Sequence, residues 1–254
     1  MLTAEYRRNY ELEQSYWWFV GVRAIVDRLL DGVGLDGSLG RVLDVGCGTG
    51  ALLEGLRTRS TEAWGVDIAP EALRFCAERG LQCVTLADAA AVPFPSGYFD
   101  VVTAIGIVEH LEDDQAFLAE MNRLVRPGGV LVLLTSSFPW LWSMHDVANR
   151  HRRRYYLTGL RDQMRRAGFE AVRLSHMNFL LFPALAPALL IHRRIFGLRS
   201  ERARRILPRP PRLVNALLTA VLRLESRLIR RMALPWGVSL IGSFRRVSGG
   251  AAGA

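Results

Sequence analysis

Three glycines at alternate positions, Gly46, Gly48 and Gly50, follow the apolar run Val42-Leu43-Asp44-Val45, and a helix-like segment begins at Ala51. Strand, glycine turn and helix together aim backbone N–H groups at a ligand, and a side chain on the turn would obstruct it. A second chemical signal is Asp67, which closes the strand-like stretch Ala63-Trp64-Gly65-Val66 some 21 residues after Gly46. A carboxylate at that spacing accepts hydrogen bonds from ribose hydroxyls. It also suits the N-cap of the helix opened by Ile68-Ala69-Pro70-Glu71, and the two roles are compatible. The residues alone leave the ligand open, because Gly46-Cys47-Gly48-Thr49-Gly50-Ala51 also fits the dinucleotide pattern G-x-G-x-x-(G/A).

Three histidines are candidates for proton transfer. His110 follows a fourth apolar stretch, Tyr98–Ile105, on the side that would face the ligand; packing or capping the next helix is an equal use for it. His145 and His151 lie in 143–155, read as a polar, basic loop after the fifth strand that faces the acceptor, with Asp146 placed to orient an imidazole and Arg152–Arg154 suited to an anionic group.

These residues need elements to position them. Residues 3–31 read as helical, with an aromatic cluster Tyr16-Trp17-Trp18-Phe19 that either packs the helix onto a sheet or forms a lid; a glycine-rich turn, 32–40, follows. Helices are expected over 51–59, 70–80, 114–125 and 157–167. Strands are expected at 42–45, 63–67, 83–86, 98–105, 130–134 (after the sharp Pro127-Gly128-Gly129 turn), 169–174 and 238–246. About sixty residues, 177–236, separate the last two strands.

The ordered set resembles the class I S-adenosylmethionine-dependent methyltransferases, in the type 11 group that contains the ubiquinone-biosynthesis-like enzymes. VLDVGCGTG matches the first motif, Asp67 the ribose acid, Asp88-Ala89 with Val92-Pro93-Phe94 the adenine-side motif, and Phe99-Asp100-Val101-Val102 the fourth-strand motif. The resemblance implies a Rossmann-like α/β fold: a doubly wound seven-stranded sheet, parallel except for one antiparallel strand, with a helical insertion before the last strand. It implies S-adenosylmethionine as cofactor, held by Arg23, Asp44, Gly46, Cys47, Gly48, Gly50, Asp67, Ile68, Asp88, Ala89 and Ile105, with Arg23 pairing the methionine carboxylate. His110, His145 and His151 become the catalytic candidates. Some relatives hold a divalent ion with Glu-x-x-Glu-His; here Glu109-His110 are present but Gly106 replaces the first glutamate, so no metal is expected. The domains expected are an N-terminal helical lid at 1–40, the core at 41–176 and 237–247, and the insertion at 177–236.

Charge is unevenly spread. All 33 basic residues are arginine. Residues 1–150 hold 12 Arg against 20 Asp and Glu, a net of −8; residues 151–254 hold 21 against 4, a net of +17. The second part is therefore expected to meet something anionic. Residues 177–191 are apolar but broken by Pro183 and Pro187 and short for a bilayer span. After them come Arg-rich residues to 212 and an amphipathic helix over 213–234, with Leu217, Val221, Leu224 and Leu228 on one face and Arg223, Arg227 and Arg230 on another. This reads either as an interfacial membrane element or as a lid or homodimer face. No zinc finger, RNA-recognition signature or aromatic stacking platform accompanies the arginines, so nucleic acid is not the expected partner. Cys47, Cys76 and Cys83 have no metal-site spacing, and no signal peptide opens the chain, so a cytoplasmic protein is expected, peripheral at the inner membrane face if the insertion docks there.

The function expected is methyl transfer to a lipophilic or membrane-associated, anionic or neutral small molecule: a quinone precursor, a polyprenyl-linked intermediate or a secondary metabolite. The alternative is a membrane-docked protein of the same fold that binds S-adenosylmethionine without turnover.

Overall fold

Apolar runs without alternation, such as Val130–Leu134, suit strands covered on both faces. The computed structural model, which describes residues 3–31, 37–197 and 210–248, places them so. Seven strands, β1 (Arg41–Val45), β2 (Glu62–Asp67), β3 (Val84–Leu86), β4 (Phe99–Ile105), β5 (Val125–Ser136), β6 (Phe169–Met177) and β7 (Ser239–Arg246), form one sheet. Their order is β3-β2-β1-β4-β5-β7-β6, and β7 runs antiparallel to both β5 and β6. This is the sheet that the sequence predicts. In-register pairing of Val45 with Val66 on β2 and Ala104 on β4 brings the carboxyl ends of these strands to one edge.

Alternate residues feed the two faces. Leu43, Val45, Val102, Leu131 and Leu133 point to one layer, where Phe117, Leu118 and Met121 of α5 (Asp114–Leu124) and Leu160 and Met164 of α7 (Leu157–Arg166) cover them. Val42, Val101, Val130 and Val132 point to the other, against Ile25, Val26 and Leu29 of α2 (Trp17–Asp31) and Leu56 of α3 (Ala51–Arg57). The helical stretch at the N-terminus is two helices. α1 (Thr3–Leu12) packs Tyr6 and Tyr10 on Ala72 and Phe75 of α4 (Pro70–Glu78), and α2 starts after a break at residues 13–16.

β5 departs from expectation by starting at Val125 and carrying Pro127–Gly129 within it. The pairing with β4 jumps from Phe99–Val125 to Val101–Val130, and Gly128, at φ 75°, takes up the irregularity.

The insertion holds α8 (Phe182–Phe196) and α9 (Arg212–Arg231). α9 is not peripheral. Leu222 and Ile229 are fully buried against α2, where Gly21 lies so close to Leu222 that a Cβ there would collide with it. On the face marked by Leu217, Val221, Leu224 and Leu228, Leu217 and Leu224 are exposed, because α9 carries two apolar stripes and α2 takes the other one. Glu225 is also buried, its carboxylate accepting N–H bonds from Asn178 and Leu180 at the start of the insertion. Asn215 accepts the Trp17 N–H (3.0 Å) and donates to the Ser15 carbonyl (2.8 Å), tying α9 to the head of α2. The glycine-rich turn at 32–36 and the arginines at 199, 202, 204, 205 and 209 lie outside the described residues.

Candidate active site

The glycine turn sits at the carboxyl end of β1, with Gly46 and Cys47 donating to the Val66 carbonyl of β2 (2.7 and 3.0 Å). Gly48 (φ 55°) has open space where a Cβ would stand, so it alone of the three motif glycines is not packed against a neighbouring side chain there. Gly46 and Gly50 serve packing. A Cβ would strike Ile107 at Gly46, and Leu81 or Cys76 at Gly50. The Cys47 side chain turns away into a cluster with Leu53, Ala63 and Cys76, which leaves its cofactor role to the backbone.

Asp67 is bound at both oxygens by the turn it faces, Oδ2 by Gly48 N–H and Oδ1 by Ala69 N–H, each at 2.9 Å. Burial raises its pKa against these bonds. Asp44, two residues before Gly46, is buried and accepts the Thr103 hydroxyl at 2.6 Å. Burial, with repulsion from Asp67 and Glu13, pushes its carboxyl up to about 7. Ile68 is 69% exposed beside Asp67, an apolar surface open to a flat ring. Asp88 is exposed at the end of β3 and accepts the Ala90 N–H; half-buried Ala89 follows it, and Ile105 is half-buried at the end of β4. A turn lined by carboxylates and open at Gly48 suits a cationic adenosine ligand such as S-adenosylmethionine, and opposes a pyrophosphate.

Arg23 Nη1 donates to the Glu13 carbonyl at 2.7 Å. The sequence reading also misses Arg79, at the end of α4. Its Nε donates to the Thr49 carbonyl of the glycine turn (2.6 Å), and its Nη2 reaches Glu13 Oε2 (3.1 Å) while the guanidinium lies over Tyr10. Arg79 thus straps the break between α1 and α2 onto the turn. Burial raises the Glu13 carboxyl, although Arg79 and Arg23 pull it down.

On the β5 side of the same edge, the stretch 143–155 is not a plain loop. Ser143 and Asp146 form a capping box that starts α6 (Met144–Asn149). Asp146 is fully buried and lies 2.9 Å from His151 Nδ1. The rings of His110 and His145 meet His151 edge-on, with centroids at 4.8 and 5.9 Å, so the three catalytic candidates come together. The arginines of this stretch have acidic neighbours: Arg154 pairs Asp146, Arg153 pairs Asp114 and Arg152 faces Glu112. Among the described residues no group of three His, Cys, Asp or Glu side chains is arranged to hold a metal ion.

This strand order, with an acid closing β2 and a glycine turn open to a ligand, defines a Rossmann-like α/β domain for an adenosine-containing molecule. Residues 43–133 match the family described as Methyltransferase domain. Over that stretch, from β1 to β5, the chain is similar to the class I S-adenosylmethionine-dependent methyltransferases of type 11. It is 32% identical over 125 residues to a ubiquinone biosynthesis O-methyltransferase of Chromobacterium violaceum, covering 46% of this chain and 48% of that one. It is 36% identical over 117 residues to the ubiquinone/menaquinone biosynthesis C-methyltransferase UbiE of Cupriavidus metallidurans, covering 42% and 48%. The matches therefore span about half the length of these relatives. Among solved structures, the fold is similar to the [4+2]-cyclase SpnF (TM-score 0.58, 22% identity, 92% of this chain and 87% of that one). It is also similar to a SAM-dependent methyltransferase from Archaeoglobus fulgidus (TM-score 0.55, 19% identity, 88% and 92%).

Proposed function

We propose that this protein transfers the methyl group of S-adenosylmethionine to a lipophilic small molecule that it meets at the cytoplasmic face of a membrane. The observation that carries the first half is the carboxylate-lined turn at Asp44 and Asp67, open at Gly48. S-adenosylmethionine supplies an electrophilic methyl on a positive sulfur, and the chain's part is to hold and align it. Asp67 takes the ribose hydroxyls, Ile68 and Ala89 flank the adenine with Asp88 at its amine, and Asp44 faces the positive end.

The second half is supported by the outer surface of the insertion. Leu213 (85% exposed), Leu217 (65%) and Leu224 lie along α9, with Arg223 and Arg227 exposed beside them, and Ile191 and Ile195 are exposed on α8. Apolar side chains bordered by arginines suit the boundary of an anionic leaflet, where each arginine contributes roughly 1 kcal/mol. No helix among the described residues is long and apolar enough to cross a membrane. A homodimer through the same face is the competing use.

The test is a labelling assay with methyl-tritiated S-adenosylmethionine and a source-organism extract split into organic and aqueous fractions. Label in the organic fraction is expected. Label in the aqueous fraction alone would keep the transfer and reject the lipophilic acceptor. Intact S-adenosylhomocysteine binding with no label in either would favour the non-catalytic alternative.

A further inference from the structure

Holding the methyl donor does not settle what becomes of the acceptor's proton. The chain leaves β4 at Gly106 and lays Ile107 against Gly46 of the cofactor turn. His110 N–H donates to the Ile107 carbonyl (2.9 Å), and the His110 ring abuts His151. One short segment therefore links the methyl donor's turn to His151.

His151 is buried and held in place. Its side chain is 7% exposed, and Nδ1 lies 2.9 Å from Asp146 Oδ1. Asp146 is itself fixed on every side. Oδ2 accepts the Ser143 N–H (2.8 Å) and hydroxyl (3.2 Å), and Oδ1 also accepts Arg154 Nε (2.7 Å), whose Nη1 is anchored on the Ser137 carbonyl (2.9 Å). Burial alone would raise the Asp146 carboxyl, but the bonds from His151 and Arg154 hold it well below the usual carboxylate range, so it stays anionic. An Nδ1–H committed to that carboxylate leaves the neutral ring's lone pair on Nε2. The other ionisable groups facing His151 are Glu109 and His110 from the turn after β4, and His145 from α6. Glu109 is buried and accepts the Thr135 hydroxyl at 2.9 Å.

Next to Ser137 begins a group of aromatic side chains. Phe138, held at φ 56°, stacks on His176 (5.0 Å) and meets Trp140, Tyr156 and Phe182 at 5.5–6.3 Å between ring centroids. Trp140 and Tyr156 remain about half exposed. A bulky residue in the left-handed region is a strained conformation that the surrounding packing must maintain.

We infer that His151, positioned by Asp146, removes the proton of an acceptor hydroxyl carried on an aromatic ring, and that the product is a methyl ether; this rests on the methyl-transfer reading above. The acceptor O–H breaks as its proton passes to Nε2. The oxygen bonds to the methyl carbon, the S–CH3 bond breaks with its electron pair going to sulfur, and the imidazolium, stabilised by Asp146, returns the proton to water. A phenol-type hydroxyl, with a pKa of about 10, is within reach of an imidazole acting in concert with transfer, whereas an alkyl alcohol is not. A free amine needs no base of this kind.

The test uses the labelled organic product from the extract and tritiated S-adenosylmethionine. Under conditions that cleave methyl ethers but spare C-methyl and N-methyl groups, the tritium is expected to leave as volatile methyl iodide. His151→Gln is expected to lower kcat by 10²–10⁴-fold, the span typical of a general base, with S-adenosylhomocysteine affinity unchanged by calorimetry as the check on folding. His151→Ala is expected to regain part of its rate with added imidazole. Tritium retained under ether cleavage, or His151→Gln within threefold of wild type, would overturn the base while leaving methyl transfer intact. No label in any fraction from a protein that binds S-adenosylhomocysteine would overturn both.

Discussion

Asp44→Asn isolates the charge at the cofactor turn. The Asp44 carboxyl is fully buried, and its pKa stands at about 7 against an ordinary 3.8. At 1.36 kcal/mol per unit, keeping it ionised in the folded protein costs about 4 kcal/mol. The sign follows from proton binding. Between pH 4 and 7 the folded chain holds a proton that the unfolded chain has released, so stability falls as pH rises through this window and levels off above it. Urea unfolding of the ligand-free protein from pH 4.5 to 8 is expected to show this decline in wild type and a flatter profile in Asp44→Asn, with the variant the more stable at pH 8. The full 4 kcal/mol is an upper bound, because the amide must still satisfy the Thr103 hydroxyl. A cationic ligand reverses the preference for the neutral acid. S-adenosylmethionine is thus expected to bind wild type more tightly as pH rises toward 7 and to release a proton below it, measured by calorimetry in buffers of different ionisation heat. Equal pH slopes in the two proteins, for both unfolding and binding, would refute the assignment of a raised carboxyl facing a cation.

Other outcomes follow from the same geometry. Asp67→Ala removes an acceptor for Gly48 and Ala69 N–H as well as the proposed ribose partner, and should weaken S-adenosylmethionine binding by more than about 1 kcal/mol by calorimetry. Leu222→Ala empties a fully buried site at the crossing of α9 and α2 and should lower unfolding stability by about 2–5 kcal/mol in urea. Arg223, Arg227 and Arg230 changed together to Gln should release the protein from anionic vesicles in flotation; a wild type that never floats would reject the membrane surface.

The first strands and the glycine turn are readable in the sequence because their signals are local and ordered: an apolar run, three glycines, and an acid at the end of β2. The pairing of Asp146 with His151 is readable for the same reason, since five residues separate them and Ser143-x-x-Asp146 is itself a helix-start signal. Arg79 is not readable. Its partners Glu13 and Thr49 lie 66 and 30 residues away, and an arginine at a helix end looks like a solvated charge. The inner face of α9 is hidden by its composition. Two leucine-rich stripes compete, and the buried one includes Glu225, which is stable there only because two N–H groups from the start of the insertion meet its carboxylate. The acids beside Arg152 and Arg153, Glu112 and Asp114, lie about forty residues away and are not signalled in the sequence.

The stitch between Asn215 and residues 15 and 17 carries a consequence for how the chain reaches this state. Those bonds close across about 200 residues, and β7 adds its edge to β5 and β6 only after α9 has been made. Contacts of such separation are reached late, since loop closure must precede the energy that rewards it. During synthesis, the apolar face of α2 emerges first and has no α9 to cover it until most of the polypeptide has left the ribosome. A nascent chain stalled before residue 212 should therefore present the Gly21 face of α2 to chaperones, while the completed chain covers it with Leu222.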